Sequence, residues 1–200
     1  MDQEYRTKTG WLCLDFANTM EWHASQSPVE TLNSYADLVE WSANRGIVSG
    51  DAREALLRQN KEKPTEARVV LEKAREVREN IYQMFSDAAH GSPIKISDLK
   101  GFNKALATAL PHSRLVPGEG GLKWDWDSGP DRMDSVVWPV VKSAVDLMTS
   151  EAIKRVGQCA DDRGCGWLFW DSSRNRSRRW CDMKDCGNRA KVRRFYAKKK

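Results

Sequence analysis

Histidine is scarce. The chain holds three in 200 residues, His23, His90 and His112, and none sits in an HExxH or another paired metal-ligand spacing. It also has no GxSxG elbow, no phosphate-binding glycine loop and no dinucleotide fingerprint. These absences remove the commonest hydrolytic and nucleotide-dependent chemistries, so a protein that is not an enzyme is expected. Spaced acids such as Asp125 and Asp127 do not change this, because turns and strand edges carry such pairs routinely. No apolar run approaches the ~20 residues of a transmembrane helix. The opening MDQEYRTKTG lacks the basic-then-apolar order of a signal peptide. The expectation is a cytoplasmic protein with no membrane partner. No internal repeat stands out. The length suits one substantial core, or one domain with a small appendage.

The composition is 40% hydrophobic and 30% charged, as in a soluble globular protein. Residues 1–150 read as a mostly helical body. WLCLDFANTM (Trp11–Met20) is a short apolar run and predicts a buried strand or a strand-to-helix junction. Ser27, Pro28 and Glu30 predict a capped helix start, with Leu32, Ala36, Val39 and Ala43 inward and Gly46 as the stop. A shorter helix is expected from near Asp51. Pro64 opens a long one with Val70, Ala74, Val77, Ile81, Phe85 and Ala88 on one face, closed by Gly91. Ser97 caps another, with Leu99, Phe102, Leu106 and Leu110 inward. SRLVPGEGGLKWDWD predicts a β-hairpin with Trp124 and Trp126 on one face. A last helix is expected over Ser135–Val156, with Val137, Val141, Val145 and Met148 inward and Pro139 tolerated in its first turn.

Cysteine is also sparse, and unevenly placed. Cys13 alone in WLCLDF reads as a small buried hydrophobe. The other four, Cys159, Cys165, Cys181 and Cys186, follow the pattern Cys-x5-Cys-x15-Cys-x4-Cys. Four thiolates satisfy tetrahedral zinc and leave no open position for water. In a cytosolic chain that reading is preferred to a disulfide; redox chemistry and structural free thiols are the alternatives. Residues 151–200 would then form a small zinc module that owes much of its folding free energy to the metal. GCGWLFWD reads as its strand. Gly187 is expected to adopt positive φ, Asn188 to cap a helix over Ala190–Lys198, and Val192, Phe195 and Tyr196 to cover the metal. With no flexible linker before it, the module is expected to dock on the body.

CGWLFWDSSRNRSRRWCDMKDCGNRAKVRRF resembles the CGNR zinc finger, named for Cys186-Gly187-Asn188-Arg189. LCLDFANT (Leu12–Thr19) is similar to the start of the ABATE domain usually found before that finger. Together the resemblance spans essentially the whole chain. It implies zinc on the four cysteines, one structural Zn²⁺ per chain, and DNA binding by a stress-induced transcription regulator. The expected fold class is α+β: a predominantly helical body with a small antiparallel β part, plus a small treble- or ribbon-like zinc module.

The charge is asymmetric. Residues 151–200 carry fifteen Lys/Arg against six Asp/Glu, a net +9, while residues 1–150 carry eighteen against twenty-two, a net −4. A polyanionic partner for the C-terminal part is expected. Zinc and four thiolates add a local −2 and leave the surplus standing. The candidate nucleic-acid residues are Arg174, Arg176, Arg178 and Arg179 in one loop, and Arg189, Lys191, Arg193, Arg194 and Lys198–Lys200 in the last helix. Arginine forks suit phosphates and the guanine edge alike; double-stranded DNA is the expected partner, with RNA left open. About six phosphate contacts would give a slope of log K against log salt near −5. The acids of the module can pair with some arginines but not all.

Asp15 and Asn18, with Trp124 or Trp126 as a wall, are candidate floor residues of a small-molecule effector pocket; helix capping and turn hydrogen bonds are the plainer role for Asp15, Asn18 and Thr19. A homodimer is expected of a regulator that reads palindromic sites, although no helix shows clear heptads. The alternative to a regulator is a protein-interaction or scaffold module whose zinc is purely structural and whose basic face meets an acidic protein.

Overall fold

The computed structural model describes residues 5–118, 120–127 and 132–197. The residues before Tyr5, the loop positions 119 and 128–131, and Lys198–Lys200 lie outside the described residues. The fold is α+β: the described residues form seven α-helices and six strands in the order α1 (Leu12–Ala17), β1 (Met20–Glu21), β2 (Val29–Glu30), α2 (Tyr35–Arg45), α3 (Gly50–Glu62), α4 (Pro64–Ala89), α5 (Ile96–Ala109), β3 (Ser113–Gly118), β4 (Gly121–Trp126), α6 (Trp138–Met148), β5 (Val156–Gln158), β6 (Leu168–Trp170) and α7 (Asn188–Ala197). The strands pair as three antiparallel hairpins, β1 with β2, β3 with β4 and β5 with β6. No helix among the described residues is long and apolar enough to cross a membrane.

Of the two readings, strand or strand-to-helix junction, the strand is absent: Trp11 is an extended N-cap and Leu12–Ala17 are helical. All six residues of α1 are buried, between α4 and α6. An element buried all round shows no amphipathic period, so an apolar run of this length does not distinguish strand from helix. α4 is the longest element, and its inward face carries the expected Ala74, Val77, Ile81 and Phe85. It also buries Arg78, which the apolar pattern alone does not anticipate.

Several element starts differ from the sequence expectation. Pro28 and Glu30 belong to the β1–β2 hairpin, and the capping box is Ser34 with Asp37, which opens α2. Ser27-x-x-Glu30 has the same spacing, but Glu30 is taken by Arg78 and by the Leu32 N–H. The inward face of α2 is Tyr35, Leu38, Val39 and Ser42, and Gly46 ends it in the left-handed conformation, as expected. Ser97 lies inside the first turn of α5, whose cap position is Lys95. Phe102 and Ala109 face inward from α5, whereas Leu99 and Leu110 are exposed.

The expected final helix is broken. A 3-10 turn at Met133–Val137 leads into α6, with Pro139 as its second residue. After Met148 the hydroxyl of Thr149 turns back to the Val145 carbonyl, and Ser150 caps a second 3-10 turn at Glu151–Arg155. Thr149 keeps its backbone bond to the same carbonyl at 3.0 Å, and the helix ends where Ser150 turns extended. The chain then enters β5. Val156 and Leu168 belong to the main core, so the C-terminal module is docked on the body.

Candidate metal centre and nucleic-acid interface

β5 and β6 form a short hairpin whose connection carries Cys159 and Cys165. The Cys159 N–H donates to the Trp167 carbonyl at 2.8 Å and closes the knuckle. Cys181 and Cys186 come from the far side, where Asp182 caps a single wide turn over Met183–Gly187. That turn is closed by the Gly187 N–H on the Asp182 carbonyl at 2.9 Å. Asn188 is then the first residue of α7 rather than its cap. Gly187 does not take positive φ. Its lack of a side chain serves a close approach: a Cβ there would lie 2.9 Å from Met183 Sδ.

The four Sγ atoms lie within 4.8 Å of one another. Cys165 to Cys181 is 3.6 Å and Cys181 to Cys186 is 3.7 Å. A regular tetrahedron with metal–sulfur bonds of about 2.3 Å has edges of about 3.8 Å, whereas a disulfide needs about 2.05 Å. The arrangement fits zinc, and all five cysteines are free thiols. The charges agree. Cys159 is held far below the usual thiol range by hydrogen bonds from the Cys165 and Cys181 thiols, while those same contacts push Cys165 and Cys181 up. Burial and the neighbouring thiolates push Cys186 up. Four thiolates this close require a cation between them. The N–H groups of Cys181 and Asp161 point at the Cys159 sulfur and that of Trp167 at Cys165. Arg189 Nη2 donates to Cys186 Sγ at 2.8 Å.

The aromatic cover of the cluster is not the expected one. Val192, Phe195 and Tyr196 are exposed. Trp22, Trp167 and Trp180 pack on the cysteines instead. Trp22 comes from the β1–β2 loop of the body and takes φ +53°. The guanidinium groups of Arg163 and Arg189 sit 5.1 and 5.2 Å from its ring. Next to it, the His23 and Ala24 N–H groups bond to the Cys165 and Gly164 carbonyls. His23 stacks on Tyr82 at 3.5 Å and bonds Glu79 at 2.8 Å. Gly164 and Gly166 have φ of +88° and +67°, and a Cβ on either would come within 2.6 Å of Ser25 or Ala24. The knuckle is thus pressed against the body loop too closely for any side chain. A tryptophan and a histidine in EWHAS give no sign of this in the sequence.

Asp15 and Asn18 are not brought together with Trp124 and Trp126 in a pocket. Asp15 is buried, accepts the Lys8 and Thr9 N–H groups at 2.7 and 2.9 Å and pairs with Arg45. Asn18 Nδ2 donates to the Leu168 carbonyl at 2.8 Å while its Oδ1 accepts the Leu168 N–H at 2.9 Å. Trp126 packs near Trp138, and Trp124 lies under Lys142 on α6.

The cationic candidates divide into two groups. Arg189 and Arg193 reach Asp161 at 3.0 and 2.9 Å. Burial alone would raise the pKa of Asp161, but the Arg163 N–H and these guanidinium groups outweigh it and hold the carboxyl well below its usual range. Arg178 donates to the Trp180 and Cys181 carbonyls and lies 4.7 Å from the Phe169 ring. These three arginines brace the module. Arg174, Arg176, Arg179, Lys191 and Arg194 are exposed and form no ion pair among the described residues, although Arg176 is near enough to Glu151 to help hold that carboxyl below its usual range. Lys198–Lys200 lie outside those residues.

Two family models match this chain. Residues 10–151 match ABATE, described as "Putative stress-induced transcription regulator". The chain belongs to the ABATE family. Residues 155–199 match the CGNR zinc finger, and Cys159, Cys165, Cys181 and Cys186 form its zinc-binding site. No curated protein matches the chain. In these terms the ABATE region supplies α1 and the Trp22 loop as the mount, and the CGNR finger is the part mounted. Zinc here supplies cohesion between two chain segments about fifteen residues apart; the shell of four sulfurs leaves it no catalytic position.

Proposed function

We propose that this ABATE protein regulates transcription by binding double-stranded DNA through its CGNR finger. The observation that carries the reading is α7. This ten-residue helix buries none of its residues, and an isolated helix of that length is marginal in water. Arg189 and Arg193, one turn apart, tie it to Asp161. At 100° per residue, Lys191, Arg194 and Phe195 fall on the side turned away from Arg189. A helix with an exposed cationic face and apolar side chains beside it suits a groove lined with phosphates, sugars and thymine methyls. Arg174, Arg176 and Arg179 add cations in the loop that leads into Cys181.

A competition assay tests this. Zinc-loaded protein is bound to a fluorescent random duplex and titrated with heparin, with unlabelled duplex and with an acidic protein. The reading predicts that heparin and duplex compete strongly. Competition by the acidic protein alone would transfer the basic face to a protein partner and make the zinc part of an interaction module.

A further inference from the structure

A cavity of about 650 Å³ opens between α4, α5 and the start of α6. Its floor is apolar, with Val70, Ala74 and Val77 from α4 and Met133, Val137 and Trp138 opposite. Its size falls in the range of small-molecule sites. The charged groups at its edge balance, Lys73, Lys104 and Arg132 against Glu66, Glu76 and Asp134, and Arg132 and Asp134 are paired with each other at 3.2 Å. Nothing there favours an anion or a cation. The apolar floor and the balanced rim suit a neutral ligand.

We infer that this cavity is a binding site for an uncharged, mostly apolar small molecule. It deepens the regulator reading by giving the ABATE region an effector site, and it rests on that reading for its purpose but not for its test. The site differs from the one expected at Asp15, Asn18, Trp124 and Trp126, none of which lines it. α4 also holds the finger: Glu79 bonds His23, and the Tyr82 hydroxyl donates to the Gly166 carbonyl at 3.1 Å. The wall of the cavity and the mount of the knuckle are one helix.

The test is a fluorescence titration with Nile red, a neutral apolar dye, on the full zinc-loaded chain. Saturable binding of one dye per chain is expected. Ala105→Trp, which fills the cavity from α5, should weaken it at least tenfold. Thr108→Trp does the same from the exposed rim and decides the matter if Ala105→Trp fails to fold. Zinc content should be unchanged in both. No saturable signal in the parent protein, or equal affinity in a folded filling variant, would overturn the proposal. DNA is absent throughout, so a failure here leaves the DNA reading standing, and failure of DNA binding leaves this result readable.

Discussion

The Asn18 side chain brackets the Leu168 backbone, donating to its carbonyl at 2.8 Å and accepting its N–H at 2.9 Å. An amide placed this way acts as one more rung on the edge of β6 that β5 leaves unpaired. It joins residues 150 positions apart and fastens the zinc finger to α1. Asn18→Ala removes both bonds and leaves two backbone groups on a buried residue unpaired. The expected cost is about 2–3 kcal/mol of stability, read by urea unfolding. The β6 amides should also exchange faster with solvent while zinc stays bound.

Trp22 covers the cysteine cluster from the body, and its ring also carries Arg163 and Arg189. Trp22→Ala should open the thiolates to water and to chelators. Zinc transfer to a colorimetric chelator is expected to be at least tenfold faster than in the parent protein, with the helical circular dichroism largely retained. An unchanged transfer rate would mean that Trp167 and Trp180 suffice as the cover.

Arg78 is buried and makes a two-pronged contact with Glu30, 2.6 Å on each arm. Removing Arg78 leaves Glu30 with only the more distant Arg75, at 3.4 Å, and the Leu32 N–H. Arg78→Ala should destabilise by about 3 kcal/mol. Burial alone would raise the pKa of Glu30, but Arg78 and the Leu32 N–H hold it below its ordinary 4.5. A carboxyl with a depressed folded-state pKa contributes stability that is complete above its unfolded value and disappears as the pH falls through the folded one. Unfolding midpoints should therefore be steady above about pH 5 and fall below pH 4.5, less steeply in Glu30→Gln. Urea titrations from pH 3 to 7 measure this.

Much of this was legible from local chemistry. The four zinc ligands stood out because a tetrahedral thiolate shell imposes a spacing, and α4 because an amphipathic helix of 26 residues repeats its pattern many times. α1 cannot be told from a strand in the sequence, because burial on every side erases the period. Arg174 and Arg178 look alike in SSRNRSRRW, yet one is exposed without an acidic partner and the other is bound to two carbonyls at the cluster. That difference depends on where the chain returns, which no spacing rule encodes. Trp22 was invisible for the same reason: its role exists only once the β1–β2 loop meets a knuckle that is 143 residues later in the chain at Cys165.

The finger's free cations make the most direct claim. Five of the expected residues are exposed and form no ion pair among the described residues, so contact with about five phosphates should give a slope of log K against log salt near −4.5. The deciding measurement is fluorescence anisotropy of a random duplex across a salt series, for the zinc-loaded protein and for Arg174→Ala/Arg176→Ala/Arg194→Ala. The account predicts one zinc per chain in both, steep salt dependence in the parent, and a slope reduced to about −2 in the variant. A zinc-loaded parent protein that fails to bind duplex even at low salt would contradict it.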